Sequence, residues 1–189
     1  MDAGVAAVLG ALAGAVATTG AAFATGWSAR EQAKIAARGE HRRQRRDSRQ
    51  EVYEEFISTA SAQEAHAARF FLAPVPTDAE GLTLALRGSE GADMEAVWNE
   101  SHRLWTELLK LSVRVRLAGP GMMSKVASSV CDCSHDVMES MMTVDHGLIG
   151  GDPISVRFEK GRDRWMKLDE AIDAFIEKAR ISLDDDGTD

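Results

Sequence analysis

The chain has 189 residues and a formal net charge of -8; 44% of it is hydrophobic and 6% aromatic. That length allows one compact domain with an appendage and leaves little room for a second core, and the Ala-rich, aromatic-poor composition favours helices over sheet. The charge is unevenly spread: residues 27–50 carry eight Lys/Arg against three acids, a net of +5, whereas 51–189 carry fourteen against twenty-six, a net of −12, so the two parts meet different surroundings or each other.

Residues 3–27 contain no charge. As a helix rising ~1.5 Å per residue they would span roughly 37 Å, against about 30 Å for a hydrocarbon core, so 1–28 is expected to be a single transmembrane anchor. Ala and Gly dominate the stretch, which makes it less apolar than its length suggests. Ala22-Phe23-Ala24 has the small-x-small form of a cleavage site, but a secretory signal carries its positive charge ahead of the apolar stretch, and here the charge follows it. The positive-inside rule then puts the N-terminus outside and everything after Trp27 in the cytoplasm, a single-pass protein of the cell membrane. Ala6, Gly10, Gly14, Thr18, Ala22 and Gly26 recur every four residues, a seam suited to close helix pairing and homo-oligomerisation in the bilayer. A segment this rich in Ala and Gly also produces such spacing by composition alone.

Residues 29–50 are expected to form a basic juxtamembrane helix. Arg30, Lys34, Arg38, Arg42 and Arg46 stand four apart and share one face, with Arg43, Arg45 and Arg49 beside them. Positive charges next to a membrane helix set its orientation, and each adds ~1 kcal/mol of attraction to an anionic leaflet. That attraction fades within about 8–10 Å, whereas a straight helix would carry Arg42 to Arg49 some ~22–33 Å from the surface. Either the helix bends, at Gly26 or Gly39, or the outer arginines face protein. Nucleic acid is disfavoured as a partner, because no aromatic residue lies between Trp27 and Tyr53 and the region that follows is acidic.

Four apolar stripes at helical spacing follow. The first runs through Val52, Phe56, Ala60, Ala67 and Phe71 and stops before Pro74 and Pro76. The second runs through Val97, Ser101, Leu104, Leu108, Leu111 and Val115, with Trp98 and Trp105 beside it, Asp93 as N-cap and Gly119-Pro120-Gly121 as its stop. The third takes Val126, Val130, Cys133, Val137, Met141 and Val144. The fourth opens with Asp152 as cap and Pro153 in the first turn and continues through Phe158, Trp165, Leu168, Ile172, Phe175 and Ala179. One-sided helices with short links pack as an antiparallel bundle. An all-α protein is therefore expected, with a four-helix-bundle-like domain over 51–181, an insertion at 73–92 in which Thr77-x-x-Glu80 is suited to cap a short helix through Leu86, and a disordered acidic tail at 182–189.

Candidate chemistry is sparse. Cys131, Cys133 and His135 invite a metal reading, but on a helix Cys131 and His135 share one face while Cys133 joins the apolar stripe, so the three cannot converge. The expectation is a core thiol beside a surface His, in a reducing compartment. Met122, Met123, Met138, Met141 and Met142 read as adaptable core filler, or as a face for varied apolar partners. The pairs Asp132/Asp136 and Asp169/Asp173 read as solvated faces. With no phosphate-binding glycine loop, nucleophile elbow or H-E-x-x-H, no catalytic residue, metal ligand or cofactor is assigned.

The Ala/Gly-rich anchor, the basic stretch "RRQRRDSRQEVYEEFI" and the junction "RVRLAGPGMM" together resemble a group of small actinobacterial proteins with one N-terminal membrane helix and a helical cytoplasmic domain. The resemblance spans most of the chain and implies the same architecture; it brings no catalytic or binding residues with it. The function expected is a membrane-tethered adaptor or assembly subunit, in contact with the lipid bilayer, with a cytoplasmic protein partner and with copies of itself through the anchor. A membrane-active toxin or pore component, and a peripheral nucleic-acid-binding module, are the alternatives.

Overall fold

The computed structural model describes residues 3–73, 75–76, 94–146 and 152–185, with only the backbone of 3–26, 28, 145 and 146. Among the described residues there are four α-helices and no strand: α1 (Ala3–Phe71), α2 (Met94–Ala118), α3 (Gly121–His146) and α4 (Ile154–Asp185). Two compact units emerge, residues 1–45 and 46–189, and α1 contributes to both.

In the first unit the backbone is helical from residue 3 onward. Neither Gly26 nor Gly39, the two soft points considered above, interrupts it. Ala, Arg, Gln, Glu and Lys around Gly39 are strong helix formers and outweigh the ~1 kcal/mol that one glycine costs. The expected boundaries at 28 and 50 are accordingly not element boundaries, since no proline or cap separates the basic stretch from the first bundle helix. Among the described residues no helix is long and apolar enough to cross a membrane; apart from Trp27, the side chains of the anchor expected at 1–28, and those of its seam, lie outside the described residues.

The second unit is an antiparallel bundle of α2, α3, α4 and the part of α1 from residue 46. Its side-chain pairs run in opposite directions along neighbouring helices. The Gln63 amide donates to Ser101 Oγ at 2.8 Å, and Arg114 pairs with Glu55 further along. Cys131 faces Leu108, Trp105 faces His135, and Arg164 reaches Ser140. Trp165 donates to Glu64 at 2.9 Å, while Phe175 packs on Phe56 at the other end. The core follows three of the four stripes closely: Val52, Phe56, Ala60, Ala67 and Phe71 of α1, Ser101, Leu104, Leu108, Leu111 and Val115 of α2, and Phe158, Leu168, Ile172, Phe175 and Ala179 of α4 are buried, while Val97 and Trp165 are half-buried.

Three helix ends are held by arginines from a neighbouring helix. Arg49 Nε of α1 donates to the carbonyl of Ala118 at the end of α2, at 2.7 Å. Arg162 Nε of α4 donates to the carbonyl of Phe71 at the end of α1, at 3.0 Å, and its Nη2 to Ala73 at 3.5 Å. Arg157 Nη1 of α4 donates to the carbonyl of Thr143 in the last turn of α3, at 3.0 Å. Terminal carbonyls have no partner inside their own helix and carry the negative end of its dipole, so a cation satisfies both needs.

Several local expectations need correction. Asp152 does not cap α4: its Oδ2 accepts from Lys160 Nζ at 2.6 Å, and the Pro153 carbonyl accepts the first helical bonds, from Val156 and Arg157. The helix also runs past 181 to Asp185 with Ser182 buried, so the first residues of the expected disordered tail belong to the bundle. Tyr53 holds this end, its ring against Phe175 and its hydroxyl 3.5 Å from Ser182 Oγ. Asp93, Thr77 and Glu80, and the insertion beyond residue 76, lie outside the described residues.

Candidate interaction surfaces

The basic stripe is on display. Every residue from 29 to 48 is exposed, including Arg30, Lys34, Arg38, Arg42, Arg43, Arg45 and Arg46. Lys34 lies 3.7 Å from Glu31 of its own helix. Like charges four apart repel by a few tenths of a kcal/mol per pair, so this face gains from any anionic surface laid against it. Arg49 departs from the set. It turns into the bundle and holds the end of α2, because its position is one step round the helix from the stripe and faces the α2–α3 turn. Arg46 borders a groove of about 290 Å³ whose floor includes Tyr53, Ile57, Ile176 and Leu183.

A second surface lies on α2. Its buried face carries Ser101, Leu104, Leu108, Leu111 and Val115. Roughly 120° round the helix, at ~100° per residue, Trp98, His102, Trp105, Leu109 and Val113 form another row. Their rings are in register: Trp98 on His102 at 5.4 Å, His102 on Trp105 at 5.8 Å, and Trp105 on His135 of α3 at 5.1 Å. Leu109 and Val113 continue the row at 38% and 43% exposure. The heptad spacing of Trp98 and Trp105 marked this row in the sequence; its continuation through Leu109 and Val113 was legible at i+4 but was masked by the stronger core stripe beside it.

The cysteines resolve differently from expectation. Cys131, not Cys133, is the core thiol, 5% exposed with Sγ 3.6 Å from the carbonyl of Leu108. The reason is that α3 sits between α2 and α4 and buries a wide sector, including Met123, Ala127, Val130, Cys131 and Ser134, rather than one narrow stripe. Burial pushes the Cys131 thiol up to about 11, against a hydrogen bond with Ser112 that lowers it and the Asp132 charge that raises it further. Burial raises the Cys133 thiol as well, with Asp136 and Asp132 adding to it.

Near them His135, Asp136 and Glu139 bring one ligand atom each within 4.8 Å of one another. Glu139 was legible from the sequence, since His135-x-x-x-Glu139 places both on one face of the helix. Arg164 stands 3.7 Å from the Glu139 carboxylate and also donates to Ser140, so a side-chain cation already neutralises the outer acid of this group. The pairs Asp132/Asp136 and Asp169/Asp173 are exposed, as solvated faces should be.

No protein-family model matches the chain, and neither a curated protein nor a solved structure matches it significantly.

Proposed function

We propose that the chain is a membrane-tethered adaptor or assembly subunit whose bundle is presented to a protein partner. The single observation that carries this reading is the exposed basic run at 29–48, which follows the charge-free stretch 3–27 without a break in the helix. A charge-free helical segment followed at once by exposed arginines is how a single-pass anchor fixes its orientation, with the basic side kept in the cytoplasm. The bundle then supplies recognition, through the aromatic and aliphatic row on α2 and the acidic surfaces around it.

Membrane fractionation of the full-length protein tests the reading. The protein is expected to stay in the pellet through a high-salt wash and through alkaline carbonate. Release by salt alone would sink the anchor and leave the arginines as the binding element, with nucleic acid or lipid headgroups as ligands.

A further inference from the structure

Two outcomes stood open for the arginines beyond Trp27: a bend at Gly26 or Gly39 that lays them on lipid, or a straight helix that carries them to protein. The backbone is helical through both glycines. With residues 3–27 in a bilayer, Arg38 and Arg45 then stand ~16 and ~27 Å beyond Trp27, past the 8–10 Å or so over which a leaflet's charge is felt. The segment is not built to lie on lipid either. Between residues 29 and 48 Ile35 is the one large apolar side chain, whereas a helix that rests in a membrane interface needs a continuous apolar face.

What the segment has is one-sided charge. At ~100° per residue, Arg30, Lys34, Arg38, Arg42, Arg45 and Arg46 fall within an arc of roughly 160°, and Glu40 and Asp47 fall on the opposite side. This basic row is about 24 Å long. A row of opposite sign lies on α4, where Asp163, Glu170, Asp173, Glu177 and Asp184 are exposed. They share an arc of roughly 80°, turned away from the side that buries Leu168, Ile172, Phe175 and Ala179. The acidic row is about 32 Å long. Glu177 pairs with Arg180, but Asp163, Glu170 and Asp173 carry no ion pair among the described residues.

We infer that the basic row of one copy docks along the acidic outer face of α4 in a second copy. Like charges repel within each row, and each row relieves the other. Every molecule that carries the basic row also carries an acidic row long enough to cover it, which singles out a second copy. Nucleic acid would meet a chain of net charge -8, which repels it. Exposed pairs contribute little each and are screened by salt, so the contact is weak and favoured by low ionic strength. The distance step rests on the membrane-anchor reading; the charge match does not.

The test uses the full-length chain in neutral detergent micelles at low salt, with sedimentation as the readout. The wild type is expected to self-associate and to dissociate as salt is raised. Lys34→Glu with Arg38→Glu and Arg45→Glu reverses the basic row, and Asp163→Lys with Glu170→Lys and Asp173→Lys reverses the acidic one. Each triple variant alone is expected to self-associate at least about tenfold more weakly. An equimolar mixture of the two is expected to associate again, since the reversed row of each finds its opposite on the other. All six positions are exposed, so the fold is expected to survive, with an unchanged helical circular-dichroism spectrum. Wild-type monomers at every concentration would overturn the proposal and leave an anionic lipid or an unrelated acidic protein as the occupant. So would association that only the basic-row variant weakens, or a mixture no more associated than its parts. Fractionation reads the anchor and mixing reads the contact, so failure of one is told apart from failure of the other.

Discussion

At the scale of single residues, two positions show how tightly the bundle is drawn together. Gly161 lies under the buried ring of Phe71: a Cβ added there would stand 2.3 Å from Cε1 and 2.6 Å from Cζ. Alanine gains up to ~1 kcal/mol over glycine in a helix, but overpacking a filled core costs typically about 1–3 kcal/mol. Phe71 is fully buried and has nowhere to move. Gly161→Ala is therefore expected to lower the urea midpoint, by as much as about 2 kcal/mol of stability; an unchanged or raised midpoint would show that α4 can shift. Cys131 gives the second expectation. Its thiol is inaccessible and hard to ionise in the fold, so at pH 8 it should resist alkylation until the chain unfolds, while half-buried Cys133 reacts first. The same shift fixes a pH dependence. The unfolded thiol loses its proton near 9 and the folded one near 11. The stability this represents is fully present below pH 9 and is lost as pH rises through that window. None of this was legible in the sequence. Cys131 and Cys133 differ by two residues, and which of them is buried depends on how α3 sits between two neighbours.

At the scale of helices, periodicity carried nearly everything. The second stripe named Ser101, Leu104, Leu108, Leu111 and Val115, and those are the buried residues of α2; the polar Ser101 belongs there because Gln63 donates to it in the core. What periodicity could not show is how the helices end. Arg49 reads as one more member of a basic run, and Arg157 and Arg162 as ordinary exposed charges, because the carbonyls they satisfy belong to other helices and lie far off in sequence. Arg162 illustrates the effect best, donating to the last carbonyl of α1 while its guanidinium packs over Phe158 at 5.5 Å. A charged donor to a partly buried carbonyl contributes about 1.5–3 kcal/mol. Arg162→Ala is expected to destabilise the bundle by roughly that amount. Arg162→Lys should recover only part of it, since a single ammonium cannot reach Phe71 and Ala73 together. Equal stability of all three proteins would mean that water serves the α1 terminus as well.

For the molecule as a whole, the charge split visible in the composition corresponds to a division between an exposed basic helix and an acidic bundle, and α1 has a part in each. The number of helices and their antiparallel order follow from one-sided stripes joined by short links. That a single helix runs on through residue 50 was not legible, because the change there from a polar to an amphipathic pattern looks like a boundary although helix propensity is continuous. The three arginines that hold helix ends have a consequence for how the chain comes off the ribosome. Two of them, Arg157 and Arg162, sit on the last helix and serve α1 and α3, and Phe71 of α1 is covered by Gly161 and Phe158 of that same helix. The nascent chain up to residue 146 holds three helices but lacks the groups that finish two of them. Native structure is thus expected to be withheld until α4 has emerged, by which time residues 1–28 have long been available to any insertion machinery. A chain stopped after residue 152 is expected to be digested rapidly by protease while the full-length protein resists, and equal resistance would show that the first three helices close on their own.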